Sequence, residues 1–188
     1  IDSVHLDPAT AAAPQAVLDA IARADAIVLG PGSLYTSVLA ALAVSGIIEA
    51  VAASAARRIY VCNLHPQAGE TAGYDVAEHV AALARHGVTP DVVLVDPAEI
   101  EPGALSPTGP VVVSTSLTSA GVVGHDPAKL GPAILAAAFA LNAFCNHTEA
   151  GAALSCSTHF MTLPTAYIMP TPPAIGTKTR GFPSGDML

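Results

Sequence analysis

The stretch that decides the fold is Ala26-Ile27-Val28-Leu29-Gly30-Pro31-Gly32-Ser33-Leu34-Tyr35-Thr36-Ser37. Four apolar residues lead into two glycines and then into hydroxyl residues, which predicts a buried strand, a tight turn and a helix start. Gly30 and Gly32 allow another backbone or an anion to come close. Ser33 suits the N-cap position, and the free N–H groups of a helix start attract phosphate. The stretch predicts a phosphate-binding turn; the alternative is a structural turn that binds nothing.

The composition of the 188-residue chain is typical of a compact α/β protein, with 52% hydrophobic and 12% charged residues. A net charge of −8 with only seven Lys and Arg residues argues against nucleic acid or an anionic membrane as a partner. The longest apolar run, residues 133–141, is too short to cross a bilayer. Three cysteines without paired spacing and the lack of a signal-peptide pattern predict a cytoplasmic protein without membrane insertion.

Apolar runs alternate with helical periodicity along the chain, which predicts a three-layer α/β fold with a mostly parallel sheet and helices on both faces. The predicted strands are Ala26–Leu29, Arg58–Cys62, Val92–Val95 and Val111–Ser114, with a further strand over Ile1–Pro8. The predicted helices begin at Pro14, after Ser33, at Ile47 (to Ala56), at Asp75 and near Ala128. Because strand, helix and strand form a βαβ unit, the first two strands after residue 25 should be parallel.

A polar loop over residues 63–74 follows the second strand of that βαβ unit. The carboxyl ends of parallel strands share one edge of the sheet, where open α/β sheets bind ligands. We therefore expect this loop beside the turn at residues 30–37, with a solvated connector as the alternative. Asp75 and Glu78 have the spacing of a capping box. His79 in the following helix is expected either at the ligand edge or on the surface.

The two loops together resemble the YvcK-type gluconeogenesis factor family, which belongs to a superfamily with 2-phospho-L-lactate transferase (CofD-like). The resemblance covers roughly residues 1–131 and is carried by ADAIVLGPGSLYTSVL, GIIEAV, YVCNL, Q.GET.GYDVAEHV and the later HDPAKL. It implies a Rossmann-like fold in which the N-terminal half of the family pattern is missing. The sequence departs from the family at Ala40-Ala41, His65-Pro66 and Ala68, where the pattern usually has Pro-Asn, Met-Thr and Pro.

The resemblance also implies a function: binding of a UDP-sugar such as UDP-N-acetylglucosamine, in a regulatory protein linked to carbon metabolism, cell shape and cell-wall synthesis. The ligand would be lined by Gly30, Gly32, Ser33, Tyr35, Thr36, Ser37, Asn63, Gln67, Gly69, Glu70 and Thr71. A homo-oligomer and cell-wall-related protein partners are expected, and no further cofactor. The alternatives are a transferase of a phosphorylated three-carbon acid and an inactive fragment. No nucleophile–base pair is evident, so catalytic residues are unassigned; the neighbouring His125 and Asp126 are not expected to share one substrate.

The sequence predicts a domain boundary at residue 135, because from about Ala136 the residues stop resembling the family and the composition shifts. Residues 136–188 are predicted to be an atypical tail, disordered or out of the family frame, with no sheet pairing after Leu141. A zinc site is one alternative for this tail, with the ligands Cys145, His147, Cys156 and His159. Their spacing departs from zinc-finger patterns, so no metal is expected.

Overall fold

The computed structural model describes residues 1 and 3–139 and the backbone of residues 161–162. Its helices are α1 (Gln15–Ala22), a π-helix (Leu34–Leu39), α2 (Ala40–Leu42), α3 (Ile47–Ala53), α4 (Val76–Arg85) and α5 (Pro127–Phe139). Its strands are β1 (Ala26–Leu29), β2 (Arg57–Val61), β3 (Val92–Val95), β4 (Val111–Ser114) and β5 (Met161–Thr162). Within the described ranges, no helix is long and apolar enough to cross a membrane.

The strands form one parallel sheet in chain order, from β1 to β5. Ile59 on β2 is paired with Val28 on β1 and with Val92 on β3, which fixes the register in the centre of the sheet. The prediction of a parallel βαβ arrangement is confirmed. All carboxyl ends of β1–β4 therefore lie at the same edge.

Helices cover both faces of this sheet, as predicted. Alternation along β2 sends Tyr60 to one face and Ile59 and Val61 to the other, since successive strand side chains point in opposite directions. The first face packs against the π-helix, α2, α3 and α4. The second packs against α5 through residues such as Leu130 and Ala137. The fold therefore has three layers, and the loops at residues 30–37 and 63–74 begin at the carboxyl ends of the buried strands β1 and β2.

The predicted strands and helix starts are largely confirmed, with small shifts. β1, β3 and β4 have the predicted bounds, and β2 begins and ends one residue earlier than predicted. α3 ends at Ala53 rather than at residue 56. The capping box is present: the Glu78 N–H donates to Asp75 Oδ1 at 2.9 Å, and the Asp75 N–H donates to Glu78 Oε2 at 2.9 Å.

The helix after Ser33 differs from the expected α-helix. Its first six residues form a π-helix, because the Ser33 carbonyl accepts hydrogen bonds from both Ser37 N and Val38 N, at 3.1 and 3.0 Å. Ser33 occupies the predicted N-cap position, but its hydroxyl makes no capping hydrogen bond. Such π-helical turns occur frequently at functional sites.

Two predictions about the ends of the chain are wrong. Residues 1 and 3–8 form no strand: of the apolar residues Ile1, Val4 and Leu6, Val4 packs against the core and Ile1 is exposed, and the chain bends at Asp7-Pro8. Sheet pairing does occur after Leu141, since Met161–Thr162 pair with β4, whose edge offers unpaired backbone groups. The predicted domain boundary at residue 135 falls inside α5. The remaining tail and the four alternative zinc ligands lie outside the described residues.

Candidate functional site

The two predicted loops meet at the carboxyl edge of β1 and β2. Leu29 at the end of β1 is paired with Tyr60, so Gly30 lies directly beside the end of β2. Gly30 has a φ of +90°, and a Cβ added there would lie 3.1 Å from the Val61 carbonyl oxygen. Only glycine fits this turn without strain, because both the backbone conformation and the close approach exclude a side chain.

Glu70 ties the second loop to the first. Its carboxylate accepts a hydrogen bond from the Tyr35 backbone N–H at 3.3 Å and another from the Thr36 hydroxyl. The carboxylate thus occupies the first turn of the π-helix, where the partial positive charge of a helix start is greatest. It takes the capping role that the sequence pattern predicted for Ser33, and it fixes the relative position of the two loops.

The N–H groups just before this helix remain available. Those of Gly32 and Ser33 make no hydrogen bond to any described residue, and Leu34, as the first helical residue, has no intrahelical acceptor. The hydroxyls of Ser33 and Ser37 are likewise without a partner in the described part of the chain. A Cβ on Gly32 would lie 3.2 Å from the Ser37 Cβ, so the backbone is open only because residue 32 is glycine.

The second loop is held by its own polar side chains. Asn63 Nδ2 donates to Gln67 Oε1 at 3.0 Å, and the Gln67 N–H donates to Thr71 Oγ1 at 2.9 Å. Asn63 and Thr71 are buried, so their side chains support the loop from below. Gly69 lies at the loop tip with a φ of +86° and open space around it. Asn63, Gln67 and Thr71 therefore hold the loop in shape, whereas Gly69 lies at its exposed tip.

Aromatic rings form the base of the site. Tyr35 is fully buried, and its hydroxyl hydrogen-bonds to that of Tyr74 at 3.0 Å. The Tyr74 ring lies edge-on to the His79 ring, with centroids 5.5 Å apart. His79 is fully buried, so the expectation of a ligand-edge or surface position is wrong; the α4 face that carries it packs against the sheet. Burial lowers the pKa of His79.

A polar cavity of about 320 Å³ lies at the same edge, beside β2, β3 and β4, and was not predicted from the sequence. Its lining includes His65, Glu99, Thr118 and Ser119, with His65 Nε2 at 3.4 Å from Glu99 Oε2. The buried Asp96 carboxylate organises its wall by accepting the Leu117 N–H at 2.7 Å. Polar residues follow β3 and β4 in the sequence, and they could have indicated this cavity, because ligands bind at the carboxyl ends of parallel strands throughout such a sheet.

His125 and Asp126 each bond to backbone, so they do not act as a pair. His125 Nε2 donates to the Cys62 carbonyl at 3.1 Å, and Asp126 Oδ1 accepts the Ala128 N–H at 2.9 Å at the start of α5. Burial lowers the pKa of His125. His125 thus fastens the loop after β4 to the end of β2, and Asp126 caps the start of α5. Among residues 1 and 3–139, no cluster of three or more potential metal ligands is found.

Comparison with known proteins places the chain in a family. The family model described as 2-phospho-L-lactate transferase CofD matches residues 1–127, so the chain belongs to the CofD family. The resemblance inferred from the two loops is thereby confirmed.

Curated relatives include a gluconeogenesis factor from Halalkalibacterium halodurans, 45% identical over 97 residues, and putative gluconeogenesis factors from Thermotoga maritima and Deinococcus radiodurans, 51% and 38% identical over 86 and 153 residues. The alignments cover 50%, 46% and 72% of this chain but only 30%, 27% and 33% of those relatives. The chain thus matches about a third of the length of its curated relatives.

A solved structure supports the same assignment. A member of the UPF0052 family from Bacillus halodurans is similar with a TM-score of 0.62 and 37% sequence identity. The superposition covers 70% of this chain and 49% of that one. At this identity the likeness extends beyond the fold to the family.

Proposed function

We propose that this CofD-family chain binds a nucleotide sugar of the UDP-N-acetylglucosamine type and acts as a regulatory binding protein. The observation that carries the proposal is the set of unpaired N–H groups at Gly32 and Ser33, presented beside a second loop that Glu70 holds in place. Oriented backbone amides at a helix start form a favourable site for phosphate oxygens. The diphosphate would lie against residues 32–34, with the Ser33 hydroxyl as a further donor.

Charge favours this mode of binding. The chain carries −8 overall, and no Lys or Arg lies in either loop, so attraction for an anion has to come from fixed amide dipoles. The Thr36 hydroxyl donates to Glu70 and is therefore not offered to phosphate. Glu70 repels a diphosphate at short range, which assigns it to the ribose or sugar hydroxyls instead.

The names of the relatives suggest the biological setting. Relatives named putative gluconeogenesis factor and gluconeogenesis factor match 72% and 50% of this chain, and these names point to carbon metabolism. We extend this to a role in bacterial cell shape and cell-wall synthesis, in which UDP-N-acetylglucosamine is the natural signal of precursor supply. The protein would act in the cytoplasm through protein partners, with homo-oligomers as one form.

A second candidate is a transferase of a phosphorylated three-carbon acid. The observation that favours it is the description of the matching family model as 2-phospho-L-lactate transferase. The same N–H groups at Gly32 and Ser33 suit a phosphomonoester as well as a diphosphate. Against it, the hydroxyl–carboxylate pair that the two loops present among the described residues, Thr36 with Glu70, is already used to tie the loops together.

Isothermal titration calorimetry distinguishes these functions. UDP-N-acetylglucosamine and 2-phospho-L-lactate are titrated into this chain and into the complete Halalkalibacterium halodurans relative. Binding of the UDP-sugar to both proteins, with no heat from phospholactate, is the expected result. Binding to the relative alone would mean that this chain is an inactive fragment of the site. Binding of phospholactate alone would contradict the nucleotide-sugar proposal and favour the transferase.

A further inference from the structure

Two buried polar atoms behind the ligand loops make no hydrogen bond to a nitrogen or oxygen atom of the described residues, and the Cys62 thiol is the one polar side chain beside the first of them. They are the Tyr60 hydroxyl on β2 and His79 Nε2 on α4, and both residues are fully buried. Their ring centroids are 6.4 Å apart, with the planes tilted by 30°. Buried polar groups are nearly always paired with protein or with ordered water, because an unpaired one costs free energy. Each of the two atoms therefore needs a hydrogen-bond partner.

The hydrogen-bonding roles of the two groups are complementary. His79 Nδ1 lies 2.8 Å from the Asp75 carbonyl oxygen, which can only accept, so Nδ1 carries the proton. Nε2 of the neutral ring is then a bare acceptor, and the Tyr60 hydroxyl can both donate and accept. Burial, together with the neighbouring Cys62, raises the pKa of Tyr60 well above its usual value, which keeps the hydroxyl protonated. A single water molecule that donates to Nε2 and bonds to the hydroxyl would satisfy both groups.

We propose that Tyr60 and His79 bind one buried water molecule between β2 and α4, and that this bridge makes His79 a positioning residue for the ligand loops. The link to the loops is a continuous set of contacts. The His79 ring packs against Tyr74, the Tyr74 hydroxyl bonds to that of Tyr35, and the Tyr35 N–H donates to Glu70. The orientation of the His79 ring thus affects the position of the Tyr35–Glu70 hydrogen bond, which joins the two loops.

The bridge and its consequence for ligand binding are separable. The water site depends only on the two buried groups, whereas the effect on the nucleotide sugar rests on the proposed function. A measurement on the ligand-free chain therefore tests the bridge even if the chain binds no UDP-sugar.

Ser114 supplies a matched control. Its hydroxyl is the third buried side-chain atom without a partner in the described residues, and it lies on β4, two strands from β2 in the sheet. Tyr60→Phe and Ser114→Ala each remove one such hydroxyl. If neither hydroxyl has a partner, both changes should leave the protein as stable as before or more stable. If the water bridge exists, only Tyr60→Phe removes a hydrogen bond and leaves His79 Nε2 unpaired.

Hydrogen exchange of the ligand-free chain, measured by NMR, is the test. Tyr60→Phe should reduce the protection of the Thr71 and Tyr74 amides by about fivefold relative to the β3 amides, as expected for one lost hydrogen bond. Ser114→Ala should leave this ratio unchanged. The ¹⁵N resonance of His79 Nε2 should move in Tyr60→Phe and not in Ser114→Ala, because only the first changes its donor.

Unchanged or increased loop protection in Tyr60→Phe would overturn the bridge. Loss of protection in His79→Phe but not in Tyr60→Phe would overturn it equally, because ring packing alone would then order the loops. Calorimetry with UDP-N-acetylglucosamine next tests the positioning role: Tyr60→Phe should weaken binding severalfold. Full affinity despite loosened loops would overturn that role, whereas absence of binding by the unmodified chain would count against the proposed function only.

Discussion

The two edges of the sheet both carry polar cavities, yet they differ in what they leave available to a ligand. At the amino edge, a cavity of about 470 Å³ is larger than the 320 Å³ cavity at the carboxyl edge. Its central charges, however, are used internally: Arg58 Nε and Nη2 donate to the two oxygens of Asp91 at 3.0 and 2.8 Å. At the carboxyl edge, the N–H groups of Gly32 and Ser33 have no partner within the described residues.

This contrast indicates that unsatisfied donors, rather than cavity size, mark the ligand edge. The Arg58–Asp91 pair closes the register between β2 and β3, since Asp91 also accepts the Arg58 backbone N–H at 2.8 Å. The pair therefore stabilises the sheet, and its hydrogen-bonding groups are already used within the protein. Changes at the carboxyl edge should therefore affect binding, and changes at the amino edge should affect stability.

The largest effect is expected from Gly32→Val. A Cβ at residue 32 would meet Ser37 at 3.2 Å, and the branched side chain would cover the open N–H groups. UDP-N-acetylglucosamine binding should fall below detection by calorimetry, while circular dichroism reports a folded protein. Retention of affinity in the folded variant would contradict a ligand site at the carboxyl edge.

Glu70→Ala should have the next largest effect. The change removes both hydrogen bonds to the first loop, at the Tyr35 N–H and at the Thr36 hydroxyl. We expect affinity to fall by about tenfold, which corresponds to ~1.4 kcal/mol and is within the range for a hydrogen bond to a charged group. Tighter binding in titration calorimetry would mean instead that Glu70 competes with the ligand for the helix start.

Ser33→Ala should weaken binding more modestly, by roughly 1 kcal/mol, because one hydroxyl donor to phosphate is lost and the backbone donors remain. Ser37→Ala is the matched control on the next turn. Its hydroxyl lies beside Gly32, where a Cβ would be 3.6 Å from Ser37 Oγ. Equal losses in both variants, measured by calorimetry, would place the phosphate between the two hydroxyls rather than on Ser33.

Asp91→Asn tests the amino edge of the sheet, where a change should affect stability and not ligand binding. The side-chain and backbone hydrogen bonds from Arg58 lower the pKa of Asp91, although burial opposes them. The ion pair is partly exposed, so the change should cost only about 1 kcal/mol of unfolding free energy at pH 7. Because the folded pKa is depressed, this difference is present above the unfolded value of about 3.9 and disappears as the pH falls through the folded pKa. Urea unfolding from pH 7 to pH 3 measures it, and ligand affinity should be unchanged.

Most of the fold could be predicted because each strand is a short apolar run bounded by turn residues. Val92–Val95 is buried at all four positions, and its predicted bounds match the structure. The Ile1–Pro8 strand failed because alternation of two apolar residues is too weak a signal without a neighbouring strand. The π-helix could not be predicted, because the same residues also suit an α-helix, from which it differs only by the i+5 hydrogen bond from the Val38 N–H to the Ser33 carbonyl.

The candidate site was predictable in its backbone and not in its side-chain partners. Gly30 and Gly32 were identified by the steric demands of a tight turn. The sequence contains no indication that Glu70 reaches Tyr35, since that contact depends on the parallel register of β1 and β2. The buried position of His79 was missed for the same reason: its environment is created by Tyr60 and Tyr74 from other elements.

The most direct test of a ligand site at the carboxyl edge is to map where UDP-N-acetylglucosamine touches the chain. A ¹H–¹⁵N NMR titration follows the backbone amides of both edges at once. We predict shifts at residues 32–36 and 63–71 and none at residues 54–58 or at Asp91. Shifts confined to the amino edge, or saturable binding that leaves Gly32 and Ser33 unchanged, would contradict the carboxyl-edge site.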